Sequence, residues 1–559
     1  MGAMPMLAPR IILGQFTYLF HLQPPGSMLK PLDVLKLYPG HDYTLGGVFD
    51  SRAAVAGDRP FVIFKGKSWS YPEFRQAIDA TARMLAARGI ETGDRVGVIA
   101  RNDVGHLLLL FACARLGAIM VPTNPEYGVN EAGYVLSHAG VSAVACGSEI
   151  LSVVREACKD IHPDPWFMQF GGNEPDAPNL LDLIANAPDV TLPAGQSADA
   201  TCVIIYTSGS TGFPKGAMHS QRNFVTAGEA NVARLWLQPE DRLLTMLPLF
   251  HVNALFYSLA GTLAAGATII VIEKFSAGTF WETAVETGAT RVNFIDTVGR
   301  ILMARPRSEF RPEHRINTVY GARPEVQECF RRDFGIANLI NGFGMTEIPG
   351  VHCNPFEGPQ KAASLGPVGR HPDPARPWAQ CRLVDDNGND VGTDEAGELW
   401  VKHPIAMQGY FRDPEQTRAA FRDGWFMTGD LMRRDADGHY YFVTRKKDII
   451  RRRGENIAGL EIDRTIGSHP GVAEVAAVGV PSEMGDEEIL AAVVTKAGAT
   501  VSARDIAKWC AERLAAMKVP RFVLFVDELP HTATHKIAKH VLKSDQTLKS
   551  RAVDLQAEP

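Results

Sequence analysis

The sequence lacks the cysteine pairs, the strong charge and the uninterrupted apolar run that mark several classes of protein. Its eight cysteines are scattered along 559 residues, and none belongs to a Cys-x-x-Cys pair. This argues against a zinc site and a disulfide framework, and favours reduced thiols in a cytoplasmic protein. The net charge of −6, from 57 basic and 63 acidic residues, is too small and mixed to indicate binding to nucleic acid or an anionic membrane.

Two apolar segments need to be distinguished from targeting and membrane sequences. In residues 1–27, Arg10 is the one basic residue ahead of a broken apolar run and no clear cleavage site follows, so we expect a disordered extension upstream of Met28 rather than a signal peptide. Residues 254–272 are long enough to span a membrane. Gly266 divides them into a helix-like half and a β-branched half, which predicts a buried helix followed by a buried strand and no membrane span.

The length and the apolar pattern predict an α/β protein with more than one domain, because 559 residues exceed what a single core usually supports. Between residues 95 and 345, short β-branched runs alternate with helical patterns. This alternation predicts mostly parallel β-sheets covered by helices. The predicted strands are 95–100, 118–121, 203–206, 243–247, 268–272, 291–295 and 316–320, and one predicted helix covers 107–116.

The pattern changes near residue 380. Apolar runs at 381–384 and 398–401, with Asp-Asp-Asn-Gly at 385–388 between them, predict a small antiparallel region with a hairpin turn. A basic stretch at 445–454 then precedes a segment of mixed α and β character. The predicted parts are the extension at 1–27, a large N-terminal domain at 28–446, a small α+β C-terminal domain at 447–545 and a tail at 546–559.

Residues 206–216 read Tyr-Thr-Ser-Gly-Ser-Thr-Gly-Phe-Pro-Lys-Gly and are the most informative segment. Glycines let a backbone approach a ligand closely, and hydroxyls and a lysine add hydrogen bonds and charge, so the segment suits a polyphosphate. It is not a Walker A loop, because no Gly-Lys-Ser/Thr ends it at the required spacing. A flexible surface loop is the alternative, but the preceding apolar strand and the embedded Pro-Lys-Gly favour the phosphate site.

Five further motifs follow in a fixed order, at 248–251, 341–347, 424–430, 445–456 and 530–537. In this order and spacing the chain resembles the adenylate-forming superfamily of acyl-CoA synthetases, luciferases and peptide-synthetase adenylation domains, from about residue 40 to 545. Each motif alone is a weak signal, whereas six in order are specific. The resemblance implies that a carboxylate attacks the α-phosphorus of ATP, giving acyl-AMP and pyrophosphate, and that a thiol then displaces AMP.

The resemblance assigns roles around the nucleotide. Lys215 and the loop before it hold the β- and γ-phosphates, and Thr346 bonds the α-phosphate. Glu347 ligates Mg²⁺, a hard cation that prefers carboxylate oxygen, with a solvated surface acid as the alternative. Asp430 takes the ribose hydroxyls beside Arg445. The ATP and AMP site is expected to contain Thr207, Ser208, Gly209, Ser210, Thr211, Gly212, Lys215, Gly321, Ala322, Arg323, Asn341, Gly342, Phe343, Gly344, Thr346, Asp430 and Arg445.

Lys536 is the expected catalytic lysine, with an ordinary exposed lysine as the alternative. An ammonium between the attacking carboxylate and the α-phosphate stabilises charge that grows in the transition state. Two positions depart from the superfamily pattern, because His535 and Thr444 stand where glycine usually precedes Lys536 and Arg445. A glycine before the lysine would ease a tight turn.

The resemblance also implies a C-terminal domain that rotates between the two half-reactions about a hinge at Lys447. This rotation withdraws the catalytic lysine and brings Arg453, Gly454 and Glu455 toward coenzyme A. The neighbouring basic residues could meet its phosphates, or they could form a solvated basic strand edge.

A few sequence positions restrict which carboxylic acid and which acyl acceptor the protein can use. Peptide-synthetase domains have aspartate at the position of His251 to pair with the substrate ammonium, so histidine there argues against amino acids. His251, counted among the catalytic residues, is expected to gate the acyl pocket. No carrier-protein segment with a modifiable serine follows, so coenzyme A is the expected thiol. The alternatives are delivery to a carrier protein or another acceptor, and an inactive nucleotide-binding relative.

The expected acyl pocket contains Asn253, Asp296, Tyr320 and Met345. Asp296 could pair with a cationic or hydroxylated acid, although capping of the following helix is the favoured interpretation. Residues 273–281 most resemble carnitine/crotonobetaine-CoA ligases. A fatty acid and a small polar, carnitine-like acid both stay open as substrates, and the oligomeric state stays open as well, a homodimer included.

Overall fold

The computed structural model describes residues 28–207, 214–452, 455–482, 487–531 and 537–557. Its strands, β1 to β27 in chain order, are Pro60–Phe64, Lys67–Ser70, Arg95–Ile99, Ile119–Thr123, Ala143–Gly147, Trp166–Phe170, Thr201–Thr207, Lys215–Ser220, Arg242–Thr245, Thr268–Val271, Arg291–Asn293, Thr318–Tyr320, Asn338–Ile340, Gly342–Phe343, His352–Cys353, Gln380–Val384, Gly397–Lys402, Gly409–Tyr410, Phe421–Arg422, Trp425–Arg434, Tyr440–Arg445, Ile449–Arg452, Glu455–Ala458, Val472–Pro481, Glu487–Thr495, Phe522–Phe525 and Val553–Asp554.

The α-helices, α1 to α17 in chain order, are Pro31–Leu35, Leu45–Ala56, Tyr71–Ala87, Val104–Leu116, Val129–Ala139, Leu151–Cys158, Leu180–Ala185, Gln221–Leu235, Ala260–Ala265, Phe280–Thr287, Asp296–Ala304, Pro324–Asp333, Pro414–Ala420, Gly459–Gly467, Ala503–Ala511, Lys539–Ser544 and Leu548–Arg551. A π-helix covers Asn253–Leu259. Short 3₁₀ turns cover Ser148–Ile150, Arg307–Glu309, Lys446–Asp448 and Ala516–Lys518.

Two seven-stranded sheets form the frame of the described N-terminal region. Sheet 1 has the order β13-β12-β11-β9-β10-β1-β2, with β2 antiparallel at one edge. Sheet 2 has the order β18-β8-β7-β4-β3-β5-β6, in which β8 pairs antiparallel with both of its neighbours, β7 and β18. The other pairs are parallel, so the carboxyl ends of neighbouring strands lie at one edge of each sheet, where ligands bind in α/β folds. The predicted α/β class with mostly parallel sheets is confirmed.

Helix α4 shows why these elements form where they do. The Asp103 side chain accepts a hydrogen bond from the Gly105 amide and caps its start, and Gly117, with φ of 75°, ends it in the left-handed conformation. Twelve of its thirteen residues are buried, so the helix is apolar on all sides rather than on one face. It therefore belongs to the largest core cluster, which also contains residues of β1, β3 and β4.

The apolar segment at 254–272 is a buried helix followed by a buried strand, as predicted. The π-helix continues into α9, Gly266 with φ of 66° ends the helix, and β10 follows inside sheet 1. A Cβ atom at Gly266 would lie 2.0 Å from the hydroxyl of Tyr38, so a larger residue does not fit. Among the described residues, no helix is both long and apolar enough to cross a membrane.

The antiparallel region near residue 380 is sheet 3, with the order β16-β17-β20-β19. A fifth strand, β21, also pairs with β20. Strands β16 and β17 pair as predicted. Their connection is longer than a tight hairpin turn, because the turn at 385–388 leads to a bridge between Val384 and Asp390 before β17 begins at Gly397. The Asp385 carboxylate closes this turn by accepting from the amides of Asn387 and Asn389.

The C-terminal region contains the hairpin β22–β23 and the sheet β24-β25-β26-β27, against which α14, α15 and α16 pack. The predicted tail at 546–559 is described up to residue 557 and is folded there. Leu548 in α17 is buried, β27 pairs antiparallel with β26, and Asp554 forms an ion pair with Arg521 at 2.8 Å. The final segment therefore completes the C-terminal sheet.

Candidate active site

The glycine-rich loop connects β7 to β8, and its two ends are Thr207 and Lys215. These residues are cross-strand neighbours, and the Thr207 hydroxyl donates to the carbonyl of Lys215 at 3.5 Å. The Lys215 ammonium donates to Gln416 Oε1 at 2.6 Å and lies 5.2 Å from the centre of the Tyr410 ring. A cavity of about 210 Å³ lies here, with Lys215, Tyr410 and Gln416 in its wall. Ser208, Gly209, Ser210, Thr211 and Gly212 lie outside the described residues.

Glu347 contacts the same tyrosine, Tyr410, as Lys215 does. Its side chain is buried, and its Oε1 accepts a hydrogen bond from the Tyr410 hydroxyl at 2.8 Å. Burial, and then the charge of Glu347, raise the pKa of Tyr410, so the phenol keeps its proton and can donate. Tyr410 therefore connects the predicted phosphate ligand Lys215 with the predicted metal ligand Glu347.

The turn that carries Thr346 and Glu347 is fixed by a buried histidine at the end of β8. His219 Nε2 lies 2.7 Å from the Thr346 carbonyl, and its Nδ1 lies 3.3 Å from the Asn223 amide. Burial lowers the pKa of His219 to about 4, so the ring is neutral at pH 7. Because Asn223 Nδ2 can only donate, Nδ1 accepts, and Nε2 carries the proton that is donated to Thr346.

Asp430 lies on β20 opposite Arg445 on β21. It is 1% exposed, and Arg445 Nε lies 3.0 Å from its Oδ1 without hydrogen-bonding geometry, so this buried oxygen has no donor among the described residues. Burial, opposed in part by Arg445 and reinforced by Glu347, raises the pKa of the Asp430 carboxyl to about 6. The carboxylate is ionised at neutral pH and can accept hydrogen bonds from a ligand.

The carboxyl ends of β12 and β13 form the wall expected for adenine. The Gly321 amide donates to the Ile340 carbonyl at 3.0 Å and ties the two ends together. Gly321 has φ of 100°, and a Cβ there would lie 1.9 Å from the Phe294 carbonyl oxygen, so glycine is required. This edge brings together the predicted residues Gly321, Ala322, Arg323, Asn341, Gly342, Phe343 and Gly344.

The residues predicted for the acyl pocket lie on different elements. Asn253 accepts a hydrogen bond from Asn293 at 2.7 Å, and Tyr320 is buried at the end of β12. Met345 packs against the apolar cluster that includes residues of sheet 3. His251, two residues before the π-helix, has its ring centre 4.4 Å from that of Phe250, with the ring planes tilted by 51°.

Asp296 does not point its charge at a ligand. Its carboxylate accepts from Arg300 at 2.7 Å and from the backbone amide of Arg323 at 3.1 Å. Asp296 is the first residue of α11, and no side-chain hydrogen bond caps the start of that helix. Arg323, whose amide Asp296 binds, is the residue immediately before α12. Asp296 therefore ties α11 to the start of α12, which differs from the favoured interpretation that it caps its own helix.

Lys447, the predicted hinge, and Glu455, one of the predicted coenzyme A residues, lie just before and just after strand β22. Lys447 is in the 3₁₀ turn between β21 and β22, and Glu455 is exposed at the start of β23. Arg452 is buried, with Glu488 2.7 Å away and with bonds to the carbonyls of Met517 and Val519, so it belongs to the C-terminal core rather than to a solvated basic edge. Arg453, Gly454 and Lys536 lie outside the described residues.

His219, Asn223 and Tyr410 are the site residues that sequence reasoning missed. A signal was present in α8, which is largely buried although its sequence is rich in polar residues. Such a helix has polar side chains that must find partners inside the fold, and these are candidates for positioning a site. No comparable signal marks Tyr410, because its importance depends on contacts with residues distant in sequence.

Comparisons with known proteins show which family the chain resembles over most of its length. The profile described as "AMP-binding enzyme" matches residues 49–411, and the profile described as "AMP-binding enzyme C-terminal domain" matches residues 461–536. A protein of Cupriavidus necator named sulfoacetate–CoA ligase is 32% identical over 503 residues, which cover 89% of this chain and 96% of that protein. One of Salmonella agona named crotonobetaine/carnitine–CoA ligase is 29% identical over 515 residues, covering 89% and 98%.

Among solved structures, ATP-bound MatB from Rhodopseudomonas palustris superposes with a TM-score of 0.81 at 27% identity, covering 90% of this chain and 99% of that one. The o-succinylbenzoate coenzyme A synthetase MenE from Bacillus subtilis, in complex with AMP, superposes with a TM-score of 0.76 at 25% identity, covering 89% and 98%.

Proposed function

The chain belongs to the family of AMP-binding enzymes, and from this premise we propose that it uses ATP to join a carboxylic acid to coenzyme A. It is an acid–thiol ligase of the AMP-forming kind, as the order of its six motifs predicts. In the first step the carboxylate oxygen bonds to the α-phosphorus of ATP, and the bond from phosphorus to the bridging oxygen breaks to release pyrophosphate. In the second step the thiol sulfur bonds to the acyl carbon, AMP leaves, and the thiol proton is released.

The observation that carries the proposal is the buried carboxylate of Asp430, whose Oδ1 pairs with Arg445 at 3.0 Å but accepts no well-aligned hydrogen bond from the described residues. A buried acceptor that is incompletely satisfied is costly unless a ligand supplies a donor. The two hydroxyls of a ribose are such donors, and a carboxylate has the geometry to accept both. Because Glu347 is close enough to influence the pKa of Asp430, the ribose site adjoins the proposed metal site.

We propose that Glu347 holds Mg²⁺ together with the phosphates of ATP. Mg²⁺ usually keeps several waters and takes one or two carboxylates plus substrate phosphates, so a single buried glutamate fits this ion. When bound, Mg²⁺ would neutralise charge on the phosphates. Lys215 would bind the β- and γ-phosphates, and Thr346, held by His219, would bond the α-phosphate.

The C-terminal region is proposed to supply the remaining groups. Lys536 would lie between the attacking carboxylate and the α-phosphate, as in the superfamily. Rotation of the domain at 447–545 about Lys447 would then replace Lys536 in the site by Arg453, Gly454 and Glu455, which would meet coenzyme A. The position of Lys447 in a short turn between two strands supports this, since a hinge needs only a few residues that absorb a dihedral change.

The acid is the open part of the proposal. The names of the relatives include an acid with an additional anionic group, sulfoacetate, and acids with a cationic group, carnitine and crotonobetaine. Fatty acids stay a further candidate. A pocket formed by His251, Asn253, Tyr320 and Met345 is proposed to receive the acyl group, with Asp296 removed from that set because its carboxylate is already bound.

The test is AMP release from ATP with a panel of carboxylic acids, in the presence and absence of coenzyme A. We expect AMP and the thioester to form only when acid and coenzyme A are both present. Lys536→Ala should nearly abolish acyl-AMP formation and spare thioester formation from supplied acyl-AMP. A rate of AMP release that is the same with and without coenzyme A would favour another acceptor. Equal loss of both half-reactions in Lys536→Ala would contradict the proposed role of Lys536.

Two further proposals concern the cell and the assembly. All eight cysteines are free in the structure and six are buried, which supports a reducing, cytoplasmic location. A homodimer stays a prediction, which light scattering of the purified protein would check.

A further inference from the structure

Arg234 on α8 is a buried cation without an acidic partner. It is 8% exposed, and no carboxylate of the described residues lies within 4.0 Å of it. The buried arginines Arg291 and Arg452, in contrast, form ion pairs with Asp241 at 3.1 Å and Glu488 at 2.7 Å. Arg52, which is buried without an ion pair, donates to the Ala264 carbonyl and the Ser51 hydroxyl instead. A buried charge is costly unless it is paired, so the charge of Arg234 needs a partner that the described chain does not supply.

The guanidinium is held by aromatic side chains. Its Cζ lies 4.8 Å from the centre of the Tyr257 ring and 5.4 Å from that of Tyr320, and one nitrogen lies 3.4 Å from the Tyr320 hydroxyl. These contacts orient the cation and leave its charge uncompensated. Gly350, with φ of 72°, makes room for it, because a Cβ there would lie 2.8 Å from an arginine nitrogen.

Arg234 faces the region where the acyl group is proposed to bind. Tyr320 ends β12, next to the adenine wall, and the Tyr257 hydroxyl accepts from the Gly350 amide at 2.9 Å, three residues beyond Glu347. A small cavity of about 10 Å³ is lined by Arg234, Tyr257, Gly350, Asn231 and Trp378. The buried indole nitrogen of Trp378 in the same wall has no hydrogen-bond partner among the described residues, which offers a second donor beside the guanidinium.

The surrounding titratable groups do not neutralise the cation. Burial, together with the charge of Arg234, lowers the pKa of both His352 and His403 to about 3. Both rings are therefore neutral at pH 7. Tyr320 keeps its proton because burial raises its pKa above the ordinary value. The pocket therefore has a positive charge at neutral pH, which opposes a substrate with a quaternary ammonium group.

We propose that the acid used by this enzyme carries a second anionic group, a carboxylate or a sulfonate, and that Arg234 binds this group. The inference rests on the proposed function, because it names the substrate class of the same site. A planar guanidinium binds carboxylate and other oxyanions through two parallel hydrogen bonds, so it suits both groups. An acid of this class also satisfies the buried charge, which an uncharged or cationic acid leaves unpaired.

The experiment compares four sets of acids of three to five carbons by AMP release that depends on coenzyme A. The sets are dicarboxylates, carboxylates with a terminal sulfonate, uncharged monocarboxylates and carboxylates with a terminal trimethylammonium group. We expect kcat/KM for one of the two dianionic sets to exceed that for the uncharged set by roughly 100-fold, because a buried charge left unpaired discriminates strongly. Which dianionic set is used identifies the second group.

Variants assign this selectivity to the arginine. In Arg234→Gln the ratio of kcat/KM for dianionic and uncharged acids should fall from about 100 to about 1, and Arg234→Lys should keep part of it. Arg222→Gln is the matched control, because Arg222 lies on the same helix, is half-exposed and pairs with Asp199, and it should leave the ratio unchanged. Thermal unfolding checks that each variant folds.

The outcomes separate the inference from the proposed function. Turnover that favours uncharged or cationic acids in the wild type would overturn the inference and leave the ligase function intact, even if no Arg234 variant folds. Equal loss of activity on all acids in Arg234→Gln would also overturn it, by giving the arginine a structural role. Absence of AMP release with every acid would overturn both.

Discussion

Replacing Asp430 with asparagine is expected to stabilise the free protein and to weaken its binding of ATP. Asp430 is 1% exposed, and burial, opposed in part by Arg445, raises the pKa of its carboxyl from 3.8 to about 6. At about 1.4 kcal/mol for each pH unit between the two values, ionisation costs the folded state about 3 kcal/mol. Asparagine has the same shape without the charge, so the variant should recover most of this free energy.

The sign follows from proton binding. Between pH 3.8 and about 6 the folded state binds the proton more tightly than the unfolded chain, so the stability of the wild type should fall as the pH rises through this window. In a unit of roughly 400 residues, about 3 kcal/mol corresponds to an unfolding temperature that is higher by roughly 3–4 °C. Asp430→Asn should exceed the wild type by this amount at pH 8 and match it near pH 4. Asp58→Asn, at an exposed carboxyl, is the control and should change neither value.

Affinity for ATP should change in the opposite direction. Hydrogen bonds to a charged group contribute about 1.5–3 kcal/mol each, so loss of the carboxylate should weaken ATP binding roughly 100-fold at pH 8, as measured by calorimetry. Wild-type affinity should also decline as the pH drops below about 6, when Asp430 takes up its proton. A variant that is no more stable at pH 8, or that binds ATP as tightly as the wild type, would refute the assignment of Asp430 as a desolvated ribose ligand.

Three other predictions follow from the structure. His219→Leu removes the donor to the Thr346 carbonyl and should lower kcat for AMP release roughly 10–100-fold, with a smaller change in KM for ATP. Lys215→Met removes the phosphate-binding charge and should raise KM for ATP roughly 10–100-fold in the same assay. Burial would raise the pKa of Glu229, but hydrogen bonds from two histidines hold it near 2. Glu229→Gln should therefore lower the unfolding temperature above pH 4.5, with a difference that disappears toward pH 2.

Each of these three predictions has a control variant or an outcome that would contradict it. His219→Gln keeps a donor and should restore part of the activity, and no restoration would indicate a packing role instead. Lys402→Met, at a lysine above the Trp425 ring on sheet 3, should leave KM for ATP unchanged. An unfolding difference between Glu229→Gln and the wild type that stays constant down to pH 2 would show that the carboxylate is not the cause.

The candidate nucleotide residues could be named from the sequence because they occupy short contiguous motifs at the ends of strands. The structure brings two of them, Gly321 and Asn341, to the adjacent ends of β12 and β13, while their contacts with ATP stay a prediction. Buried apolar runs likewise predicted the central strands. The strand Val553–Asp554 was not predicted, because a two-residue edge strand has no period to recognise.

The side chains that hold the site were beyond the reach of the sequence. His219 acts on Thr346 across 127 positions, and Tyr410 acts on Glu347 across 63. Neither partner can be inferred from local pattern, because the pairing depends on how β8, β18 and the turn after β14 meet. Asp296 shows the converse, since a suggestive charge was already bound by Arg300.

The sequence by itself determined the family and the class of reaction, because binding a polyphosphate, a ribose and Mg²⁺ requires particular groups at fixed spacing along a few loops. Only the tertiary structure decided the electrostatic character of these groups. Burial raises the pKa of Asp430, and packing places Arg234 between Tyr257 and Tyr320 with no carboxylate of the described residues within 4.0 Å. Desolvation and pairing arise from residues far apart in the chain, so local sequence pattern cannot reveal them.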